Sequence, residues 1–247
     1  MTSVRVGQRV VGHASSGSHA ELFVAPGRQV FPVPDGVGLE AAVAVPVTFG
    51  TASDALFEFG ALQPGETVLV HGAAGGVGIA CIQLAARAGC RVIGTARGRD
   101  RVEALAALGL DHGIDSARER IDRRAHELTA GAGVDLVVDM AGGAALPQLL
   151  TALRHRGRFV VVGAASGEFQ AFTFVDLIAK ELTVSGVSLG LEMHTPRVRH
   201  LVAGFLDDVR DGRLTMPVDR VYPLTEAAEA HRHVEEGRPF GRVLLRP

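Results

Sequence analysis

Three glycines in six residues, Ala73-Ala74-Gly75-Gly76-Val77-Gly78, stand between a short apolar run, Thr67–His71, and an alanine-rich helical run, Val77–Ala88. Strand, glycine bend and helix, in that order, are what holding a phosphate requires. Gly75 lets a ligand come up to the backbone and Gly78 lets the helix pack closely on the strand. The helix start adds free N–H groups and the positive end of its dipole. The six residues are an AxGxxG variant of the dinucleotide fingerprint, and a second strand follows at Arg91–Thr95. About 20 residues past such a loop an NAD site places a carboxylate on the ribose 2′-hydroxyl. This chain has Thr95-Ala96-Arg97 there, with Arg99 and Arg101 close behind. Guanidinium groups bind phosphate in two-pronged fashion, so arginines without a carboxylate favour NADPH over NADH. The alternatives are a glycine turn that only packs and arginines that are ordinary solvated positions at a helix start, Arg99 above all.

Other residue types that do chemistry give less. Hydride transfer from a nicotinamide needs positioning and a polarised acceptor rather than a nucleophile, so no triad is required. The catalytic residue is unknown from sequence. Asp54 is the one candidate acid, and a proton shuttle there needs burial to raise its pKa; a solvated helix position is the more ordinary reading. His71, at the strand end, reads as a packing and hydrogen-bonding residue, and Tyr222 as part of the packing of the tail. A catalytic zinc needs convergent Cys, His and carboxylate ligands. The ten histidines are scattered and Cys81 and Cys90 fit no ligand spacing, so no metal is expected and both thiols read as small core residues.

These residues need elements to hold them. The opening region is β-like at VGQRVVG, HAELFVA and QVFPVP. A helix is expected over VTFGTASDALFEFGAL, stopping before Pro64. Strands at Thr67–His71, Arg91–Thr95, Val134–Asp139, Arg158–Gly163 and Leu182–Ser188 then alternate with helices at Val77–Ala88, Arg99–Leu108, Ala117–Thr129, Ala145–Leu153 and Phe174–Lys180. A short stretch, Asp111–Asp115, lies among them. Near-continuous Val/Ile/Leu strands separated by helices predict a parallel sheet covered on both faces, an α/β Rossmann fold. A helix at Pro196–Asp211, a β-like tail with a helix at Thr225–Glu236, and a strand at Arg242–Leu245 close the chain.

The 247 residues allow one large or two modest domains. Twenty-five basic against 27 acidic side chains give a net charge of −2, and a single tyrosine and no tryptophan leave no basic–aromatic stripe. Nucleic acid and anionic lipid are therefore not expected partners. The first ten residues lack a leader-type apolar region and no apolar run reaches membrane-spanning length, so a cytoplasmic protein is expected.

Several segments together resemble the zinc-independent quinone oxidoreductase branch (ζ-crystallin-like) of the medium-chain dehydrogenase/reductase superfamily, which includes the enoylreductase domains of polyketide synthases. They are AVPVTFGTASDAL (44–56), PGETVLVHGAAGGVG (64–78), VIGTA (92–96), VDLVVDMAGG (134–143), GRFVVVG (157–163), KELTVSGVSLG (180–190) and PLTEAAEAHRHVEEGRPFGRVLL (223–245). The resemblance implies a Rossmann domain over 48–214 and a truncated GroES-like β domain built from both chain ends, 1–47 and 215–247. It implies that Thr51 lies beside the nicotinamide and that Ala74, Gly75, Gly76 and Val77 hold the pyrophosphate. Ala96, Arg97 and Arg101 would surround the 2′-phosphate, Arg101 standing where the family usually has lysine. Gly142, Gly163 and Ala164 would line the nicotinamide ribose, and Ser188 and Leu189 would approach the ring. It also implies a homodimer through the sheet edge around Leu182–Ser188.

Three departures accompany it. The chain starts near the end of the family's GroES-like domain, without the tyrosine and asparagine that some relatives place over the nicotinamide. The helix that usually reads TAYYAL or TAWHAL has Ser53 and Asp54 in place of the aromatic pair. An INYR-like segment reads Ile114-Asp115-Ser116-Ala117. The expected activity is NADPH-dependent hydride transfer to a quinone or α,β-unsaturated carbonyl. A non-redox cyclisation or isomerisation on the same fold, or NADPH binding without catalysis, stay open.

Overall fold

The apolar runs become strands of a parallel sheet in the computed structural model, which describes residues 4–237 and 239–247. The first three of the ten residues read for a leader, and Arg238 in the closing segment, lie outside the described residues. The strands are β1 (Val10–Gly12), β2 (Val30–Pro32), β3 (Thr67–His71), β4 (Arg91–Ala96), β5 (His112–Asp115), β6 (Val134–Asp139), β7 (Leu153–Val161), β8 (Thr183–Gly186), β9 (Val218–Pro223) and β10 (Arg242–Arg246). Two compact units result, one of Thr51–Val187 and one joining the described residues up to Gly50 with Ser188–Pro247.

In the Thr51–Val187 unit six strands pair in the order β5-β4-β3-β6-β7-β8, all parallel. This is the doubly wound Rossmann arrangement, and strand order reverses between β3 and β6, where such sheets bind ligands outside their carboxyl ends. The central strands are apolar because helices cover both faces: Leu69, Ile93, Val137 and Phe159 are at most 1% exposed. Phe172 meets Phe159 edge-on, ring centres 5.2 Å apart. Cys81 and Cys90 are buried, as expected of core thiols, and burial pushes both up from the usual thiol range.

Some boundaries differ from expectation, each for a local reason. The unit opens with short helical turns, and Asp54–Glu58 winds loosely, its Asp54 carbonyl accepting the Phe59 N–H at 2.9 Å. The helical path ends at Glu58 rather than before Pro64. Gly60 then comes so close to the Ala55 and Leu56 carbonyls that a Cβ there would lie 2.4 and 2.7 Å from them. The helix expected from Ala117 starts at Ile121, because residues 116–119 first wrap around Asp115, whose carbonyl accepts the Arg118 and Glu119 N–H groups. Strand β7 begins at Leu153, directly after the helix Leu146–Ala152, instead of at Arg158.

That abrupt helix-to-strand junction is capped by Lys180, the only lysine in the chain. Its Nζ donates to the carbonyls of Leu150, Thr151 and Leu153 at 3.3, 2.6 and 2.6 Å. A cation at a helix C-terminus satisfies orphan carbonyls and meets the negative dipole end. Lys180→Met is expected to cost about 1–3 kcal/mol of stability by removing the cation from the Leu150 and Leu153 carbonyls, the Thr151 carbonyl keeping His126 Nε2 at 3.0 Å, read as a lower midpoint in urea unfolding.

In the other unit β1 and β2 pair antiparallel and β9 and β10 pair parallel. HAELFVA forms no strand: Leu22 and Val24 are each 91% exposed and have no neighbouring strand to pair with among the described residues. The helix Pro196–Arg210, grouped by sequence with the Rossmann residues, belongs here. Phe205 packs against Phe49 with tilted rings, centroids 5.9 Å apart, and the Arg199 guanidinium sits 5.3 Å over the Phe31 ring. Tyr222 is buried in the tail, as its packing role required. Its hydroxyl accepts from Arg220 at 3.1 Å and bonds His233 Nδ1 at 2.7 Å, and His233 Nε2 lies 2.9 Å from Asp219.

Candidate cofactor site

The glycine bend joins β3 to the helix Gly76–Arg87. Gly72 turns the chain at φ +83°, a conformation that favours glycine. Its carbonyl accepts the Gly75 N–H at 3.2 Å, and Gly75 is the helix N-cap with no side-chain cap bond. The helix start therefore keeps amides for a ligand. The two key glycines serve different ends. A Cβ on Gly78 would lie 2.5 Å from the Gly72 carbonyl oxygen and 2.6 Å from Ala73 Cα, so the protein itself demands glycine there. A Cβ on Gly75 would meet only the Gly72 oxygen, at an ordinary 3.6 Å. Gly75 is exposed, and the space it leaves lies on the solvent side, where a pyrophosphate would come. Ala74 and Gly76 are buried and Val77 half-buried, so these three offer backbone rather than side chains.

The loops after β3, β6 and β7 meet along one rim. A Cβ on Gly72 would touch Ala141 Cβ at 3.6 Å, and one on Gly142 would touch Ala164 at 3.4 Å. The Met140 and Ala141 carbonyls accept the Ala165 and Ser166 N–H groups at 3.1 and 2.9 Å. Asp139 Oδ1 accepts from Ala141 and Gly142, both at 2.9 Å, and Gly142 holds φ +65°. Gly163 follows β7, and a Cβ there would lie 3.2 Å from the Met140 carbonyl. The structure thus brings the Gly75, Gly142 and Gly163–Ala164 loops together at the switch point.

At the next corner, after β4, Arg97 is exposed and Arg101 half-buried. Arg99 points its guanidinium at Glu103, 2.7 Å away, the ordinary i,i+4 pair of a helix surface. Sequence reading missed Asp115 here. Its carboxylate, at the end of β5, reaches 17 positions back to accept the Gly98 N–H at 2.9 Å, and accepts the Ala117 N–H at 3.1 Å. Gly98 sits at φ +97°, so Asp115 pins the turn that carries Arg97. Those two amides, with Arg118 3.8 Å away, hold its carboxyl below the usual carboxylate range. A carboxyl with a depressed folded-state pKa stabilises above its unfolded value, about pH 4, and loses that stabilisation as pH falls through the folded value. Asp115→Asn is therefore expected to flatten the acid limb of a stability-against-pH curve relative to wild type, measured by chemical denaturation.

A protein-family profile described as Zinc-binding dehydrogenase matches residues 76–204. Quinone oxidoreductase-like protein 2 of Bos taurus is 30% identical over 248 residues, which cover 99% of this chain and 71% of that protein. A mycocerosic acid synthase-like polyketide synthase of Mycobacterium tuberculosis is 32% identical over 249 residues, 99% of this chain and 12% of that protein. The solved quinone oxidoreductase of Escherichia coli complexed with NADPH aligns at a TM-score of 0.90 and 26% identity, covering 100% of this chain and 77% of that one. The chain belongs to the quinone oxidoreductase branch of the medium-chain dehydrogenase/reductase superfamily.

Within this branch member, the remaining site candidates fall as follows. Asp54 is 1% exposed, so the solvated helix position expected for it is corrected. It lies in a stretch, Ala52 to Leu56, that is buried at every position, so a one-faced helix pattern does not anticipate it. Thr51, three residues before it, is half-buried. Ser188 and Leu189 lie in the unit of the chain ends. Ser188 is exposed, while Leu189 is 4% exposed and packs its side chain where a Cβ on Gly50 would be 2.6 Å away. Among the described residues no three His, Cys, Asp or Glu side chains are grouped to hold a metal ion. No helix among them is long and apolar enough to cross a membrane.

Proposed function

We propose that this quinone oxidoreductase-branch protein binds NADPH and uses it, without zinc, to reduce a quinone or an α,β-unsaturated carbonyl. The observation that carries the reading is the opening over Gly75. There the chain leaves backbone amides and solvent-side space that its own packing does not need. The amides of the helix start would hold the pyrophosphate, and Arg97 and Arg101 the 2′-phosphate. Gly142, Gly163 and Ala164 would bound the ribose with backbone and small side chains. NADPH held there would supply the hydride. Asp54 is too buried to meet a substrate, so water would deliver the proton to the acceptor oxygen.

The unit of the chain ends is proposed as a GroES-like domain. A homodimer through β8 is supported by its place at the sheet edge, paired only with β7 among the described residues. The preceding helix exposes Phe174, Val175 and Ile178 at 79, 71 and 59%. Mass measurement in solution tests it, a monomer at micromolar concentration sinking the dimer.

Stopped-flow absorbance at the reduced-nicotinamide band, with a panel of quinones and enones, tests the activity. Oxidation of NADPH supports it. Binding without oxidation of any acceptor favours a non-redox reaction or a binding role, and absence of binding removes the cofactor assignment.

A further inference from the structure

Three buried polar residues stand in one register row across the carboxyl ends of the central strands: Thr95 on β4, His71 on β3 and Asp139 on β6. They are 1, 8 and 3% exposed, amid a core that is otherwise apolar at this level of the sheet. Polar groups are buried at a cost unless they are bonded, so each of the three should have an occupation. Asp139 has one, since it holds the Ala141 and Gly142 amides. Thr95 has two. Its carbonyl accepts the Ala73 N–H at 2.9 Å, and its Oγ1 lies 3.4 Å from the Gly72 nitrogen that donates to it. Thr95 therefore holds the first two amides of the glycine bend.

The grip is passed on, because the Gly72 carbonyl accepts the Gly75 N–H and so places the residue that opens the phosphate space. His71 touches neither amide. Its Nδ1 lies 2.7 Å from Thr95 Oγ1, the shortest contact in the cluster. A hydroxyl rotates freely unless something fixes it. With Nδ1 bonded to it, the Thr95 hydroxyl keeps a lone pair turned toward Gly72. Burial lowers the His71 pKa; Asp139 opposes that shift and Arg97 reinforces it.

We propose that His71 is a positioning residue: through Thr95 it fixes the Gly72–Gly75 bend on which dinucleotide pyrophosphate binding depends. The inference rests on the cofactor reading above for its consequence, while its geometry rests on the His71, Thr95 and Gly72 contacts alone. Because the pyrophosphate is common to both dinucleotides, the effect is blind to the 2′-phosphate, unlike that of Arg97.

The test uses three variants of the full chain: His71→Phe, which fills the volume without the bond; His71→Asn, which returns a polar atom near the Nδ1 position; and Thr95→Val, which keeps the backbone and removes the hydroxyl. Amide hydrogen exchange of Gly72, Ala73 and Gly75 without cofactor should quicken about tenfold in His71→Phe and in Thr95→Val, and stay near wild type in His71→Asn. The double variant His71→Phe/Thr95→Val should be no faster than the quicker single one, since the two act as one coupled pair. By fluorescence titration, NADPH and NADH should both weaken by the same factor in each fast-exchanging variant. Unchanged exchange at these three amides, or additive losses in the double variant, would overturn the positioning role even if dinucleotides bind. If exchange behaves as expected and the wild type binds neither dinucleotide, the positioning role stands and the cofactor reading falls.

Discussion

Gly78→Ala is expected to lose dinucleotide binding together with stability, whereas Gly75→Ala keeps its stability and loses only the cofactor. The two glycines are three residues apart in one motif, yet their surroundings differ. The new Cβ at position 78 would stand 2.5–2.7 Å from Gly72 and Ala73 backbone atoms, which cannot swing aside as a side chain would. Overpacking of this kind costs about 1–3 kcal/mol or more, and the relief it forces displaces the bend itself. At position 75 the backbone has φ −82° and ψ 167°, which alanine adopts freely, and the nearest atom is at ordinary contact distance. The methyl group would instead occupy the phosphate's approach. An affinity loss of about a hundredfold, near 2.7 kcal/mol, is expected. Thermal melting and NADPH titration of the two variants separate the cases. A Gly75→Ala protein that binds NADPH as tightly as wild type would remove the observation on which the proposed function rests.

The second large effect is on selectivity. Arg97→Ala with Arg101→Ala is expected to weaken NADPH by about a hundredfold or more, because each charge-assisted hydrogen bond to a phosphate is worth about 1.5–3 kcal/mol. NADH, which lacks the 2′-phosphate, should change by less than about threefold, the residue of screened long-range attraction. Arg99→Ala is the control. Its guanidinium is engaged with Glu103 and is exposed, so neither dinucleotide should respond. Equal losses for NADPH and NADH in the double variant would mean that the arginines support the fold of the corner rather than the 2′-phosphate. Asp115→Ala sharpens the comparison, since it removes the acceptor of the Gly98 N–H while leaving both arginine side chains in the chain.

Much of the Rossmann unit was legible residue by residue. The runs Thr67–His71 and Val134–Asp139 are read with the same ends in sequence and structure, because buried parallel strands need unbroken apolar side chains and glycine or turn residues bound them. The glycine bend was legible for the same local reason. A strand-to-helix turn with close packing admits few residue types, and Gly78 is one that the backbone itself enforces. The arginines after β4 are legible as a set, and Arg99 makes an ordinary helix-surface pair with Glu103.

The contacts that depend on which strands become neighbours arise only in the assembled sheet. Nothing local in the sequence places His71 between Thr95 and Asp139, because β6 reaches β3 only after two intervening strands and their helices have been laid to the other side. Nothing local sends Asp115 back to Gly98, or decides that Asp54, on a turn wound more loosely than an α-helix, faces inward. The helix Pro196–Arg210 carries an amphipathic pattern that any core would accept, and its meetings of Phe205 with Phe49 and of Arg199 with Phe31 assign it to the unit of the chain ends. Periodicity and glycine placement are properties of a few adjacent residues, so the central strands and the glycine bend are written in the local sequence. Register and burial are properties of the assembled sheet. Only the folded chain decided which buried groups hold that bend in place.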